Sequence, residues 1–285
     1  MNIVVDKDLQ ELSYIFGNNA NFNLLSLAPE NIRKENIILA DALFLRSVTK
    51  IDDTLLKDTN VKFVASLTSG EDHIDHEMLK KTAINLSTGK GGNTSAVVEY
   101  FFSALSILLI EKKIIPYKTK IGIIGFGRIG KKMAKIYSSF GCRVSFYDIS
   151  NLDGNKNINR YDNLEDIFKN SDIISLHASY SNENHEMINY KLFSLCKPSS
   201  IFINTARGGL VCEKSMIKAL VNKKIAGAAI DVISEENNFN KNNHLVKYIN
   251  NNDNLIITPH LGGCTFESSE KAELAITEHF LTYLK

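Results

Sequence analysis

Short runs of β-branched and other apolar residues recur along the 285-residue chain, and they alternate with segments whose apolar residues have helical spacing. Near the start of the chain, three such runs predict strands over 2–6, 41–47 and 61–67. Helical spacing then predicts a short helix over 72–83. A longer apolar pattern predicts a helix over 93–113, which is long enough to link two domains.

A second series of strands begins at residue 120 with the sequence "KIGIIGFG". The later strand predictions are "RVSFYD", "DIISLHA", "SIFINTA", "IAGAAIDV" and "NLIITPH", and an amphipathic helix is predicted over 267–285. Alternation of strands with helices is typical of parallel sheets joined by right-handed crossovers. The pattern therefore predicts the α/β fold class with doubly wound sheets.

The composition narrows the class of partner. Hydrophobic residues make up 44% of the chain, charged residues 23%, and the formal net charge is +1, which is typical of a globular protein. A charge so close to zero favours neither nucleic acid nor an anionic membrane surface as a partner. The most apolar stretch, 96–110, contains Glu99 and is shorter than the ~20 residues of a membrane span. The start of the chain does not resemble a signal peptide.

The spacing of the cysteines indicates whether a metal site or a disulfide framework is present and in which cellular compartment the protein occurs. The four cysteines are Cys142, Cys196, Cys212 and Cys264. They are far apart and form neither a C-x-x-C pair nor a metal-like spacing, so we expect no metal site and no disulfide framework. This usage indicates a reducing compartment, and we expect a cytoplasmic protein.

Three glycines follow the strand that starts at residue 120, in the pattern G-x-G-x-x-G. The turn comprises Gly125, Gly127, Arg128, Ile129 and Gly130. A helix follows the turn, and the next predicted strand ends on Asp148, which is the context of a dinucleotide-binding turn. The glycines suit a tight turn, a close backbone approach to a pyrophosphate and close packing of the helix. Asp148 is placed to accept a hydrogen bond from a ribose 2′-hydroxyl, which predicts NAD in preference to NADP.

Three later strands end in polar residues. Arg207 follows one strand, Asp231 ends the next and leads to Glu235 and Glu236, and His260 ends the last. Because ligands of open α/β sheets bind beyond the carboxyl ends of the strands, we expect these groups to converge near the cofactor. An imidazole suits the proton exchange that accompanies hydride transfer, and a guanidinium suits a substrate carboxylate.

Several segments together resemble the D-isomer-specific 2-hydroxyacid dehydrogenase family. They are "LRSVTKID", "TSGEDHID", "GIIGFGRIGKKMA", "INTARGGLV", "AAIDVISEE" and "TPHLGG". The resemblance implies a Rossmann-type NAD domain over 93–264, inserted into a flavodoxin-like substrate domain formed by 1–92 plus 265–285. It also implies that the protein is a homodimer.

The resemblance further implies roles for the residues at the strand ends. Arg207 would bind the substrate carboxylate, His260 would be the acid/base, and Glu236 would pair with His260. Glu236 is preferred to Glu235 because the family glutamate lies five residues after the aspartate of "IDV", here Asp231.

Other members of the site are implied by the same resemblance. Asp231 would contact the nicotinamide carboxamide, and Thr205 and Gly263 would line the cofactor. One departure lies beside them, because Cys264 stands where the most similar branch of the family has tyrosine.

The front half of the chain is most similar to the branch of the family that acts on phosphorylated acids. By that resemblance Ser47 and Thr68 would bind substrate together with Ser69 and Gly70, and Arg46 would offer positive charge to a phosphate. The implied reaction is oxidation of a phosphorylated D-2-hydroxy acid, with 4-phospho-D-erythronate as the first candidate, which belongs to pyridoxal phosphate biosynthesis.

Alternative functions stay open at this point. Within the family, 3-phospho-D-glycerate or an unphosphorylated D-2-hydroxy acid are competing substrates. An alternative from another functional class is a non-catalytic protein that senses NAD. The presence of Arg207, Glu236 and His260 does not exclude this function.

Overall fold

The computed structural model describes residues 1–109, 118–150, 152, 158–236 and 243–285. They belong to two compact units, one formed by 1–93 with 265–285 and the other by 94–264. Among the described residues, each unit contains one sheet, and every strand pairing is parallel. Within the described residues, no helix is both long and apolar enough to cross a membrane.

The smaller unit has a five-stranded sheet in the order β2-β1-β3-β4-β5. Its strands are β1 (Asn2–Asp6), β2 (Asn23–Leu27), β3 (Ala42–Leu45), β4 (Phe63–Ser66) and β5 (Asn85–Thr88). Its helices are α1 (Gln10–Gly17), α2 (Lys34–Ile37), α3 (Asp53–Leu56), α4 (His76–Thr82) and α11 (Phe266–Tyr283).

Successive residues of the interior strand β1 face different cores. Ile3 and Val5 belong to one buried cluster, and Val4 belongs to the cluster on the other face of the sheet. The last helix of the chain, α11, adds Ile276 and Phe280 to the first cluster. Helices therefore cover both faces, as a parallel sheet requires.

The larger unit has a seven-stranded sheet in the order β12-β11-β10-β9-β6-β7-β8. Its strands are β6 (Lys120–Ile124), β7 (Arg143–Tyr147), β8 (Ile158–Arg160), β9 (Ile173–Leu176), β10 (Ile201–Asn204), β11 (Gly227–Ile230) and β12 (Leu255–Ile257). Its helices are α5 (Thr94–Leu108), α6 (Arg128–Ser139), α7 (Leu164–Asn170), α8 (Tyr190–Phe193), α9 (Glu213–Val221) and α10 (His244–Ile249).

These strand orders confirm the predicted fold class. The order in the larger unit is that of a Rossmann sheet with one strand added, and the order in the smaller unit is that of flavodoxin. The strand order reverses between β6 and β9, because β7 and β8 lie on one side of β6 and the later strands on the other, so the carboxyl ends of β6 and β9 border a crevice of the kind that binds ligands. The predicted helix over 93–113 is observed as α5, and residues 110–113 lie outside the described residues.

Candidate active site

The glycine turn joins β6 to α6 at the strand-order reversal. Gly125 has a φ of +90°, and a Cβ there would lie 2.5 Å from the backbone nitrogen of Ala178. A Cβ on Gly130 would lie 2.2 Å from the carbonyl oxygen of Gly125, so α6 packs directly onto the turn. Around Gly127, by contrast, a Cβ would meet no atom within 4 Å. The turn is closed on the protein side and open where an anion would approach.

The helix that follows this turn is suited to hold a phosphate. Gly127 is the N-terminal cap of α6, with no side-chain cap, and Arg128 and Ile129 are the first helical residues. The first N–H groups of a helix have no partner within the helix and carry partial positive charge. The residues present therefore fit the pyrophosphate of a dinucleotide.

Asp148 lies directly after β7 and faces the glycine turn. Its Oδ2 accepts a hydrogen bond from the backbone N–H of Phe126 at 2.6 Å, and its Oδ1 accepts one from Ser150 at 2.8 Å. A carboxylate has about four acceptor positions, so two remain for ribose hydroxyls. The two backbone bonds hold the carboxylate at the edge of the turn.

Arg207 follows β10 and starts a short 3-10 turn over Gly208–Leu210. Its Nη1 donates to the carbonyl oxygen of Ala206 at 2.7 Å. The buried side chain of Asn204 braces the turn, because its amide donates to the Arg207 carbonyl at 3.0 Å and its oxygen accepts from the Ala206 N–H at 2.9 Å. The role of Asn204 was not predicted, although a polar residue that ends a buried strand is a usable signal.

His260 follows β12 in a left-handed backbone conformation, with a φ of +57°. The carboxylate of Asp231, only 2% exposed, holds the loop that continues from this histidine. Its Oδ1 accepts from the Leu261 N–H and its Oδ2 from the Gly262 N–H, both at 2.7 Å. The His260 N–H donates to the Asp231 carbonyl oxygen at 2.8 Å. A strained residue of this kind persists only where its surroundings impose the conformation, and Asp231 does so here.

A second connection ties Asp231 to α5. The hydroxyl of Thr258 donates to Asp231 Oδ1 at 2.6 Å and also contacts the Tyr100 hydroxyl. Because the Thr258 proton points to the carboxylate, Tyr100 must be the donor in the second bond. Burial raises the pKa of Tyr100, so the phenol keeps that proton at neutral pH.

The glutamate and histidine expected to pair are adjacent in the structure. Nδ1 of His260 lies 3.0 Å from Oε1 and 3.2 Å from Oε2 of Glu236, although the two residues are 24 positions apart. Each side chain is 46% exposed, so the pair is open to solvent. Gly263 is half-buried in the same loop, and the Cys264 thiol donates to the His260 carbonyl oxygen at 3.2 Å.

A further histidine lies beside the glycine turn. His177 follows β9, its Nε2 lies 2.6 Å from the hydroxyl of Ser175, and its Nδ1 lies 3.4 Å from the hydroxyl of Thr205. Burial lowers the pKa of His177 to about 3, so its imidazole is neutral at physiological pH. This histidine is therefore a hydrogen-bonding partner of Thr205 and not a proton carrier.

In the smaller unit, Arg46 follows β3 and is held by two carboxylates. Its Nε donates to Oδ2 of the buried Asp6 at 2.8 Å, its Nη2 to Oδ1 at 3.2 Å, and its Nη2 also contacts Asp8. Burial, the largest single cause, lowers the pKa of the guanidinium, but the hydrogen bonds and charges of Asp6 and Asp8 together raise it, and the net shift is upward. The positive charge of Arg46 is thus compensated within its own unit.

The other expected substrate residues lie at the same edge of this sheet. Ser47 is exposed directly after Arg46. Thr68 follows β4, and its hydroxyl lies 3.1 Å from that of Ser66 and donates to the Gly70 carbonyl at 3.3 Å. Ser69 donates to the Asn93 side chain at 2.9 Å.

Comparison with known proteins places this geometry in a family. Residues 112–262 match the family model described as D-isomer specific 2-hydroxyacid dehydrogenase, NAD binding domain. An erythronate-4-phosphate dehydrogenase of Wigglesworthia glossinidia brevipalpis is 34% identical over 97% of this chain and 71% of its own length. A glyoxylate reductase of Thermococcus litoralis is 30% identical over 90% of this chain and 84% of its own length.

The solved structures agree on the fold. A D-2-hydroxyisocaproate dehydrogenase superimposes with a TM-score of 0.83 over 100% of this chain and 97% of its own, at 23% identity. The cofactor prediction is confirmed, because the matched family model is that of an NAD-binding domain and its residues form the open glycine turn. The chain therefore belongs to the family of NAD-dependent D-isomer specific 2-hydroxyacid dehydrogenases.

Proposed function

We propose that the protein oxidises a phosphorylated D-2-hydroxy acid to the 2-oxo acid, with 4-phospho-D-erythronate as the preferred substrate. The observation that carries the chemistry is the pair formed by His260 and Glu236, at 3.0 Å. The substrate follows from the similarity over nearly the whole chain to a relative named erythronate-4-phosphate dehydrogenase.

In this proposal the larger unit supplies the residues that do the chemistry. The guanidinium of Arg207 binds the substrate carboxylate in a bidentate manner. Glu236 engages Nδ1 of His260, so Nε2 accepts the proton of the C2 hydroxyl, and the carboxylate stabilises the imidazolium that forms. Bound NAD supplies the acceptor for the hydride that leaves C2. In the reverse direction His260 returns the proton to the oxygen of the 2-oxo acid.

The remaining contacts serve binding and positioning. Gly125 and Gly130 shape the turn for the pyrophosphate, and Asp148 accepts from the ribose. The three bonds that Asp231 Oδ1 and Oδ2 accept hold the His260 loop, and Thr205 and Gly263 would line the nicotinamide. Ser47, Thr68, Ser69 and Gly70 would bind the remainder of the substrate.

A second candidate substrate is an unphosphorylated D-2-hydroxy acid. The observation that favours it is the compensation of Arg46 by Asp6 and Asp8, which leaves little net positive charge for a phosphate. The similarity to a glyoxylate reductase points in the same direction.

A substrate panel tests the proposal. NADH formation is followed at equal concentrations of 4-phospho-D-erythronate, 3-phospho-D-glycerate and D-lactate, and NADH oxidation is followed with glyoxylate. We expect the highest kcat/KM for 4-phospho-D-erythronate. A higher kcat/KM for D-lactate or glyoxylate would favour the second candidate. If the protein bound NADH but turned over no member of the panel, the proposal that it is a dehydrogenase of these acids would be contradicted.

We also propose a cytoplasmic homodimer. The four cysteines are free thiols, which fits a reducing compartment. Ile107 of α5 and Phe140 after α6 expose 57% and 55% of their surface, and such apolar groups are suited to a protein interface. Light scattering coupled to size exclusion measures the assembly directly, and a monomer at micromolar concentration would contradict the proposal.

A further inference from the structure

Glu213 is a buried carboxylate outside the set of residues discussed above. It is the first residue of α9, six positions after Arg207, and it is 8% exposed. Its Oε1 accepts two hydrogen bonds at 2.7 Å, one from the backbone N–H and one from the hydroxyl of Ser234. Its Oε2 lies 3.2 Å from Nε2 of His244. A buried charge is tolerated only with partners of this kind.

These contacts join two segments of functional interest. The segment from Arg207 to Glu213 follows β10, and the segment that contains Ser234 follows the neighbouring strand β11. The two approach closely at a second point, because a Cβ on Gly208 would lie 1.9 Å from the carbonyl carbon of Ile233. The backbone around the Ile233–Ser234 peptide therefore packs against Gly208 on one side and hydrogen-bonds to Glu213 on the other.

The segment 233–236 contains Glu236, which contacts His260. Glu236 lies two residues after Ser234, and its carboxylate reaches Nδ1 of His260 at 3.0 Å. The length of that contact depends on where the backbone of residues 234–236 lies. Both Ser234 donors converge on a single oxygen of Glu213, which fixes the position and the orientation of this backbone.

We propose that Glu213 is a positioning residue that acts on the reaction through Glu236. This inference rests on the function proposed above. Glu213 holds the segment after β11 against the turn that bears Arg207, so the carboxylate partner of His260 stays in place while the proton moves. A rival explanation is purely structural, since an acidic residue in the first turn of α9 also stabilises that helix through its dipole.

A double-mutant cycle separates the two explanations. In the otherwise unchanged protein, Glu213→Ala should lower kcat by about 10-fold to 100-fold, with the NADH dissociation constant unchanged. In a Glu236→Gln background the same change should lower kcat by less than about twofold, because residues that act through one another are not additive. Equal losses in the two backgrounds would overturn the proposal.

Two further variants sharpen the cycle. Glu213→Gln keeps an oxygen that accepts both Ser234 bonds, so it should retain kcat to within about threefold. Glu165→Ala is the matched control, because Glu165 also lies in the first turn of a helix of the larger unit, α7, and its side chain pairs with Lys191. Loss of activity in the control as large as in Glu213→Ala would favour the dipole explanation.

A readout without turnover keeps this inference distinct from the proposed function. Hydrogen exchange of the Ser234 amide should be about tenfold faster in Glu213→Ala than in Glu213→Gln, because only the latter keeps the acceptor. If Glu213→Ala does not fold, Ser234→Ala replaces it in the cycle. Ser234→Ala should lower kcat by a smaller factor than that expected for Glu213→Ala, and only in the protein that retains Glu236. Unchanged exchange contradicts the inference, whereas a folded protein without turnover contradicts the proposed function alone.

Discussion

The carboxyl edges of the two parallel sheets carry different kinds of polar group. In the larger unit, Asp231 organises the loop after β12 through its buried carboxylate, and the pair of His260 and Glu236 is left open to solvent. In the smaller unit, the cation Arg46 is held by Asp6 and Asp8. One edge presents a histidine–carboxylate pair beside a loop that a buried carboxylate holds, whereas the other presents a charge that is already compensated. If the proposed roles hold, proton transfer depends on the support of His260 in the larger unit, and substrate selectivity depends on the net charge around Arg46 in the smaller unit.

The largest expected effect comes from replacing His260, the proposed acid/base. His260→Ala should lower kcat by ~10²–10⁴, because a positioned proton acceptor is lost. Binding of NADH, measured by fluorescence titration, should be nearly unchanged, since the glycine turn is untouched. Loss of NADH binding with retained kcat at saturation would show that His260 serves the cofactor.

The next effect concerns the pH dependence of the free energy of unfolding, to which the buried His177 at the same edge contributes. Folded His177 stays neutral down to about pH 3, whereas in the unfolded chain it protonates near 6.5. Stability supplied by this group is therefore present above pH 6.5 and is lost as the pH falls below it. Between about pH 7.5 and pH 5 the loss should reach about 2 kcal/mol, measured by urea unfolding, and His177→Asn should remove that part of the pH dependence.

The preference for NAD over NADP tests whether Asp148 contacts the cofactor ribose as well as the glycine turn. Asp148→Ala should reduce the preference for NAD over NADP by about tenfold in kcat/KM, because the 2′-phosphate is no longer repelled. The same change removes the acceptor of the Phe126 N–H, so Asp148→Asn, which keeps an oxygen, is the control for folding. An unchanged preference in both variants would mean that Asp148 only shapes the turn.

The smallest effect bears on the compensated cation of the smaller unit. Asp8→Asn removes one of the two carboxylates on Arg46, the more exposed one, and leaves the bonds to Asp6. If Arg46 attracts a phosphate, KM for 4-phospho-D-erythronate should fall by about fivefold, while KM for D-lactate stays constant. Equal KM values in Asp8→Asn and the unchanged protein, for both acids, would remove Arg46 from phosphate recognition.

Strand and helix predictions succeeded where the hydrophobic pattern was long and buried. β1, β3 and β4 lie within the predicted runs, and both the apolar helix α5 and the last helix α11 are present. The edge strands β2, β5 and β8 were not predicted. β2 has three leucines but no β-branched residue and is mostly exposed, and β8 has only three residues, so neither has the pattern of a buried β-branched run.

The candidate site shows the same division. The glycine spacing and the polar residues after β10, β11 and β12 are local features, and they led to Gly125, Arg207 and His260. The compensation of Arg46 could not be predicted in this way, because Asp6 and Asp8 lie 40 and 38 residues before it along the chain.

The sequence by itself determined the fold class, the dinucleotide turn and the family, because each depends on residue order and on spacing within a few positions. Only the tertiary structure decided which charges meet. It surrounded Arg46 with carboxylates, joined Glu213 to Ser234 and gave the expected pair of Glu236 and His260 its distance of 3.0 Å. The physical reason is that hydrogen bonds and ion pairs act over a few ångströms, and the register of neighbouring parallel strands sets which distant residues come that close.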